Sequence, residues 1–521
     1  MKKITFLIFL CAFLLLRPYN FSTTGLMYTG DDESYFAHSS ALAFGTFPSY
    51  TREYWSVGEA IPAHTIGAGV MAAPFVFLFS QLDRVSGNAI IERRTRENIP
   101  GSWSQFGFVV STSVYFWLAC LFLYLAARMH VNPQPAAWAV VGMVLAQGAP
   151  LFVFRRPIFT HTYELMLMAV LVWMLCRVIN NGATFGRGSI CAVGIVCGLL
   201  VLTRMDDLFF VIAFPVLFVS HLEAGIYKKL LALFSMFFLI ALLVLIFKIW
   251  PETLVGHYSF NAVSSLGRTP SISSYIHRTW HILTGPDWGL VYTAPFLLLA
   301  SVYLYTADNK DFSTLRWLGT LLLVKLLIVI QWNTQGGWYG YRYLVFCAMA
   351  LLTVPFALFL DRLILHSPPW RRAILLLIAV PPVLSMLLFE GNSTGLTVSH
   401  VEQYFGVAGW GNNFYQWEVW KALLFSPIEA LIALGKGGVL YSVYLLCNAF
   451  SMNAMLPSIA LEKYPLFQWA TAARTLIIYL VPFILYAAWR YFQPNADGAG
   501  TDGFQAPEHV QKKLKRFENA L

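Results

Sequence analysis

Three carboxylates follow one another near the start of the chain, in the segment Gly30-Asp31-Asp32-Glu33-Ser34-Tyr35. Adjacent carboxylates repel each other, so one of them could hold a raised pKa and serve as a general base. The oxygens of Asp31 and Asp32 could also ligate a hard divalent cation, although no cofactor is firmly indicated. A third interpretation needs no chemistry, because acidic residues stabilise the N-terminus of a helix. The residues alone leave all three interpretations open.

A glycine- and aromatic-rich stretch runs from Trp332 to Tyr343 and contains Trp338, Tyr341 and Arg342. Glycines let backbone N–H groups approach an anion closely, and an arginine can bind phosphate through two parallel hydrogen bonds. Flat aromatic rings suit a sugar face or a prenyl chain. An interfacial aromatic belt with a snorkelling arginine is the alternative, but it does not account for the three glycines of the stretch.

Two further groups of charges lie beside apolar runs. Arg155 and Arg156 could bind a phosphate or diphosphate, and His161 and Glu164 follow them three residues apart on one helix face. A plain interfacial cap is the alternative. Arg204, Asp206 and Asp207 stand between two apolar runs. Ionisable residues there are candidates for function or for an Arg–Asp ion pair that holds a tight turn.

Two single polar residues are also candidates for function, Lys325 and His64. Lys325 is the only clear charge deep within a predicted span. It could pair with a buried carboxylate, touch a lipid phosphate, or snorkel toward the cytosol. His64 is expected in an external segment, where packing at the membrane interface is the default. Neither the histidines nor the seven cysteines form a metal-binding or disulfide pattern.

The composition predicts which structural elements position these residues. Of 521 residues, 58% are hydrophobic and only 12% charged, against roughly 25% charged in a soluble domain. This excludes a soluble enzyme, a disordered chain and a disulfide scaffold. The long apolar runs predict an all-α polytopic membrane protein with about 12 (12–14) transmembrane helices. The net charge of +9 is scattered among loops, as orientation bias requires, so no nucleic-acid partner is expected.

The order of the apolar runs gives a topology with both termini in the cytosol. The run 4–16 forms an uncleaved first span, and residues 17–104 then lie outside. Residues 62–80 either cross the membrane or lie on the outer surface as a helix broken at Pro62 and Pro74. The surface placement is favoured because it puts short basic loops in the cytosol. Residues 391–490 form a C-terminal transmembrane or interfacial region, and 491–521 a cytosolic basic tail.

Four segments together resemble one family. They are Gly30-Asp31-Asp32-Glu33-Ser34-Tyr35, Pro62-Ala63-His64-Thr65-Ile66-Gly67, Leu199 to Asp206, and Gly336-Gly337-Trp338-Tyr339-Gly340-Tyr341-Arg342-Tyr343. In this order they resemble GT-C superfamily glycosyltransferases, in the style of bacterial relatives of the protein O-mannosyltransferases and the lipid A aminoarabinose transferase. The resemblance covers about residues 20–345 and implies a GT-C type catalytic module at 1–390 with external juxtamembrane helices.

The resemblance also implies a reaction and a location. A sugar would pass from a polyprenyl-phosphate donor to an acceptor outside the cytosol, in a bacterial inner membrane. Asp31 would be the base, supported by Asp32 or Glu33, and Arg342 would hold the lipid phosphate, with Arg155 and Arg156 beside it. The other expected substrate-binding residues are His64, His161, Arg204, Lys325, Trp338 and Tyr341.

Two departures from the family pattern bear on the acceptor. The mannosyltransferases' His-Pro-Pro is missing, since His64 follows Pro62 at a distance, and no long soluble acceptor domain is seen. A lipid or glycan acceptor is therefore preferred to a protein. A transporter or flippase for lipid-linked sugars is the alternative class. It would place charges within several spans and often show internal repeats.

Overall fold

The computed structural model describes residues 31–50, 61–62, 64–86, 103–150, 152–153, 157–181, 186–249, 271–285, 289–307, 313–331 and 341–366, with scattered helical positions in 370–382, 425–428 and 477–488. Every regular element among these residues is helical, which confirms the all-α prediction. The predicted first span, most of 391–490 and the tail 491–521 lie outside the described residues. The domain boundaries therefore stay predictions.

The helices are numbered in chain order. They are α1 (Asp31–Ala43), α2 (Gly67–Ser86), α3 (Trp103–Arg128), α4 (Pro133–Val140, continued by a π-helical turn Val141–Leu145), α5 (His161–Asn181), α6 (Arg187–Thr203), α7 (Leu208–Ser220), α8 (Ile226–Val244, continued by Leu245–Ile249), α9 (Ile272–Thr284), α10 (Leu290–Thr293), α11 (Pro295–Thr306), α12 (Ser313–Gln331) and α13 (Arg342–His366).

Six helices in the described part are long and apolar enough to cross a membrane: α2, α3, α5, α8, α12 and α13. Apolar runs of this length fold as helices because a bilayer offers no hydrogen-bond partner to the backbone, which must satisfy its own polar groups. Shorter apolar helices lie at α4, α6 and α11. The total of about 12 spans stays a prediction.

Helices α2 and α3 form an antiparallel hairpin. The carboxylate of Asp83, near the end of α2, accepts hydrogen bonds from the backbone N–H groups of Trp103 (2.7 Å) and Ser104 (2.8 Å). It thereby caps the otherwise unsatisfied donors at the start of α3. Further along the pair, the Tyr115 hydroxyl donates to the carbonyl of Met71 at 3.1 Å. Contacts thus run along the first half of α3.

Helix α2 is continuous through Pro74, so the expectation of a helix broken at that residue was wrong. Packing on both sides of the proline holds the helix together. Met71, before it, contacts Tyr115. After it, the carbonyl of Phe75 lies so close to Gly107 that an added Cβ would approach it to 2.6 Å. Tertiary contacts therefore compensate for the hydrogen bond that proline removes.

Helix α5 packs along the other half of α3, in the parallel direction. The contacts run from Ser111–Tyr163 (2.6 Å between hydroxyls) through the rings of Phe122 and Trp173 to His130–Asn180 (3.2 Å). The surface placement of α2 stays a prediction, since α2 is also long and apolar enough to cross a membrane.

The two ends of the bundle differ in charge. One end, here called the basic end, carries seven lysines and arginines of the described chain. These are Arg128, Arg177, Arg187, Lys228, Lys229, Arg316 and Arg362. Helix α5 begins and α6 ends at the opposite end. Cytosolic loops carry an excess of lysine and arginine, so the positive-inside rule predicts that the basic end faces the cytosol.

Candidate active site

A cluster of buried charges lies where α5 begins, α6 ends and α12 passes. Lys325 donates to Glu164 Oε1 at 2.7 Å and to Asp207 Oδ1 at 2.5 Å, and its ammonium lies 3.3 Å from Asp206 Oδ2. Lys325 therefore pairs with carboxylates and does not snorkel. Since Glu164 also lies within a candidate span, the expectation that Lys325 is the only deep charge was wrong.

Arg204 forms the edge of this cluster. It lies in extended backbone between α6 and the short 3₁₀ turn Met205–Asp207. Its guanidinium binds both oxygens of Asp206, at 3.0 and 2.8 Å, so the ion pair suggested by the sequence is formed. Burial alone would raise the pKa of Asp206, but the charges of Arg204 and Lys325 outweigh it and hold that pKa low. The pair fixes the guanidinium against His161, at 3.1 Å, and over the Tyr343 ring, at 5.1 Å.

The cluster holds more carboxylates than cations. The cations that face Glu164, Asp206 and Asp207 among the described residues are Arg204 and Lys325. His161 lies 3.5 Å from Glu164, but its Nδ1 accepts from Arg204, so its ring is neutral and one excess negative charge is left. A buried charge without a partner is costly and is usually neutralised by a proton. Burial and the charge of Glu164 raise the pKa of Asp207, and its Oδ2 has no hydrogen-bond partner in the described structure. We assign the proton to Asp207.

The same cluster contains a set of possible metal ligands. Glu164, Asp207 and Cys347 could each offer one ligand atom, all within 4.8 Å of one another. The ammonium of Lys325, however, is already hydrogen-bonded to the first two. A cation would have to displace it, so this donor set fits a lysine better than a metal ion.

A second arginine lies beside the cluster, at the start of α13. The guanidinium of Arg342 lies 5.0 Å from the rings of both Phe159 and Tyr343, and its Nη2 donates to the Tyr343 hydroxyl at 3.0 Å. Tyr343 thus contacts both arginines, Arg204 and Arg342. A small cleft opens next to Arg342, with polar lining from Gln147, Thr293 and Tyr341.

Helix α1 connects to the segment before α2 through two histidines. The backbone N–H of His64 donates to Ser34 Oγ at 3.2 Å. The buried His38 ring lies 2.9 Å from the carbonyl oxygen of His64 and 2.7 Å from the Tyr50 hydroxyl. Burial lowers the pKa of His38 to about 4. His38 is therefore neutral at pH 7 and donates from Nε2 to the carbonyl of His64.

The segment before α2 in turn rests on the end of α6. The Thr65 hydroxyl donates to the carbonyl oxygen of Thr203 at 2.7 Å. At Gly67, an added Cβ would overlap both the backbone nitrogen and the side-chain oxygen of Thr203. Only a glycine allows this close approach. Because Thr203 directly precedes Arg204, the contact ties α2 to the charge cluster.

We expect Gly67→Ala to lower the stability of the folded protein by about 1–3 kcal/mol, the usual cost of overpacking. Gly188→Ala is the matched control, because a Cβ there meets nothing within 4 Å. Thermal unfolding of both variants in the same detergent measures the difference. Equal melting temperatures would show that α2 does not rest on Thr203 as described.

The structure brings together several of the predicted site residues. His161, Arg204 and Lys325 belong to the charge cluster, and Tyr341 and Arg342 lie beside it. His64 joins α1 to α2, and Glu33 lies on α1 with a half-buried side chain. Arg155, Arg156 and Trp338 lie outside the described residues. Asp31 and Asp32 open α1, and their side chains also lie outside the description.

Sequence reasoning missed the partners of these residues. The sequence places Glu164 only beside His161, and Asp207 and Tyr343 only within their charged or aromatic segments. The available signal was general, namely that an ionisable residue inside a span pairs with another. It indicates that Lys325 needs a carboxylate but does not say which one.

No protein-family model and no curated protein matches the chain. Among solved structures, ArnT from Cupriavidus metallidurans in the apo state is similar at 13% identity with a TM-score of 0.46, covering 93% of this chain and 75% of that one. The same protein bound to undecaprenyl phosphate gives 12% identity and the same score. An Archaeoglobus fulgidus oligosaccharyltransferase gives 14% identity and a TM-score of 0.42, covering 77% of this chain and 56% of that one.

Likeness of this degree assigns no family. What the described residues define is an all-helical fold with helices of membrane-spanning length and a buried charge cluster at one end. The function proposed below therefore rests on the residues themselves.

Proposed function

We propose that this protein is a GT-C type glycosyltransferase that moves a sugar from a polyprenyl-phosphate donor to a lipid or glycan acceptor on the external side of a bacterial inner membrane. One observation carries the proposal. The four segments that resemble the family lie far apart in the sequence, yet their described residues form one continuous series of contacts. The series runs through Ser34, His64, Thr65, Thr203, Arg204, Tyr343 and Arg342.

The carboxylate proposed as base belongs to the first of these segments. Asp31 begins α1 one helical turn before Ser34, and Ser34 contacts the second segment at His64. As the acceptor hydroxyl attacks the anomeric carbon it must lose a proton, which a carboxylate within hydrogen-bond reach accepts. Asp32 and Glu33 are proposed to support this role. They could do so by positioning the acceptor or, for Asp32, by sharing a cation.

The leaving group of this reaction is a lipid phosphate, whose negative charge grows as the glycosidic bond breaks. Fixed positive groups stabilise such developing charge. The guanidinium groups of Arg204 and Arg342 lie 5.1 and 5.0 Å from the Tyr343 ring, and Arg342 borders the cleft. We propose that Arg342 binds the phosphate, with Arg155 and Arg156 assisting, and that Arg204 lies nearby. Tyr341, Trp338, His161 and His64 are proposed to line the sugar site.

The charge distribution supports an external site. The series of contacts lies at the end opposite the basic end, which the positive-inside rule places in the cytosol. A donor with a polyprenyl chain stays in the bilayer, so a site at the level of the helix ends can reach its phosphate from the membrane.

Transport of a lipid-linked sugar is the second candidate function. Glu164 and Lys325 both lie within candidate spans, as expected for residues along a transport pathway. Their side chains pair with each other at 2.7 Å, however, which is also the geometry of a static structural pair. Transfer activity distinguishes the two functions.

The proposed function is tested with purified protein in liposomes that contain a labelled polyprenyl-phosphate sugar and candidate lipid acceptors. We expect sugar transfer, and we expect Arg342→Gln to reduce kcat/KM by roughly 10²–10³-fold, as loss of a group that stabilises developing charge does. Arg187→Gln, at the basic end, is the matched control and should retain full activity. Movement of the donor between leaflets without transfer would instead support a transporter.

A further inference from the structure

Helix α9 presents three different faces around its axis. The first face packs on the protein: Ile282 is buried, and Arg278 Nη1 donates to the carbonyl oxygen of Ile330 at 2.9 Å. The second face is apolar and exposed, with Ile272 81% exposed and Ile276 and Trp280 each 66% exposed. These three residues are spaced four apart, so at 3.6 residues per turn they form one stripe.

The third face is polar and continues around the helix from the apolar stripe. Ser273 and His277 are exposed there, and His281 is half-buried. A face that packs on the bundle, an exposed apolar face and a polar face thus follow one another around a single helix. In water, an exposed apolar stripe would not stabilise the helix. At the boundary of a bilayer, the three faces can contact protein, lipid and water respectively.

The position of α9 indicates that membrane lipid covers the apolar stripe. Ile330, which accepts the hydrogen bond from Arg278, lies in the last turn of the candidate span α12. On that span Leu323 and Leu327 are exposed, as expected for side chains that face lipid. The apolar stripe therefore continues a lipid-facing surface at the level where a membrane span ends. Tryptophan is enriched at this level.

We propose that α9 is an interfacial helix whose Ile272, Ile276 and Trp280 side chains insert among the lipids of the leaflet at the charge-cluster end of the bundle. The partner is thus a phospholipid surface. The hydrogen bond from Arg278 fixes the helix to the end of α12, so the stripe lies at a constant depth. This inference does not depend on the proposed sugar transfer, because a transporter could use the same anchor.

The test places one environment-sensitive fluorescent amino acid, by stop-codon suppression, at position 276 or at the neighbouring position 277 of the full chain in liposomes. At 276 we expect blue-shifted emission that brominated phospholipids quench and aqueous iodide does not. At 277 we expect red-shifted emission that iodide quenches. Both positions are exposed, so either label is tolerated by the fold. Quenching by iodide at both positions, or no quenching of the 276 label by brominated lipid, would overturn the proposal.

Discussion

Replacing Asp31 by asparagine is expected to reduce the rate of sugar transfer by roughly 10²–10⁴-fold, the usual contribution of a general base. Asparagine keeps the size and polarity of the side chain but cannot accept the proton of the acceptor hydroxyl. Binding of the donor should change little, because Arg342 rather than Asp31 is proposed to bind the phosphate. The initial rate of transfer in liposomes, at saturating donor, measures the effect.

Asp32→Asn is the matched control, since it removes the same group from the adjacent residue. Asp32 is proposed to support the base and not to replace it, so its loss should cost much less activity than the loss of Asp31. Thermal unfolding of both variants should equal that of the unaltered protein. If Asp31→Asn transfers sugar at an unchanged rate, the assignment of the base is wrong.

Replacing Lys325 by methionine is expected to lower the free energy of unfolding by about 3–5 kcal/mol, the usual cost of removing one partner from a buried ion pair. Methionine fills most of the same volume, so the loss reports charge and not a cavity. Lys325 is hydrogen-bonded to Glu164 and Asp207. Without its ammonium, the ionised Glu164 and Asp206 face only one cation, Arg204. Thermal unfolding in detergent measures the loss.

The charge balance of the cluster makes a sharper prediction for the double variant. Asp207→Asn alone mimics the protonated carboxyl group and should be tolerated. Combined with Lys325→Met, it leaves two carboxylates and one arginine, the same charge that Lys325→Met alone leaves while Asp207 is protonated. The double variant should therefore be about as stable as Lys325→Met alone. If Asp207→Asn adds a clear loss of its own, Asp207 is ionised in the folded protein and the assignment of the proton is wrong.

The sequence predicted those parts of the site that are local. The apolar runs indicate helices because a membrane allows little else, and Arg204 and Asp206 are two residues apart, so their ion pair needs only a tight turn. The order of the four family-like segments also indicated that they work together. In each case the information lies within a few neighbouring residues or within a known pattern.

The partners of the buried groups could not be predicted in this way. Lys325 and Glu164 are 161 residues apart, and Thr65 and Thr203 are 138 apart. Their contacts depend on which helices pack side by side, and apolar surfaces inside a membrane protein give few sequence signals for this choice. Pro74 shows the same limit, since its local preference to break a helix was overridden by packing of α2 against α3.

The central claim is that the four segments form one external site for a lipid phosphate and its sugar. An experimental structure of the protein with a bound polyprenyl phosphate tests this claim most directly. The account predicts the phosphate in contact with Arg342, the prenyl chain leaving toward the membrane, and the carboxylate of Asp31 facing the same cavity. A phosphate bound at the basic end, or an Asp31 carboxylate directed away from the cavity of Arg342, would contradict it.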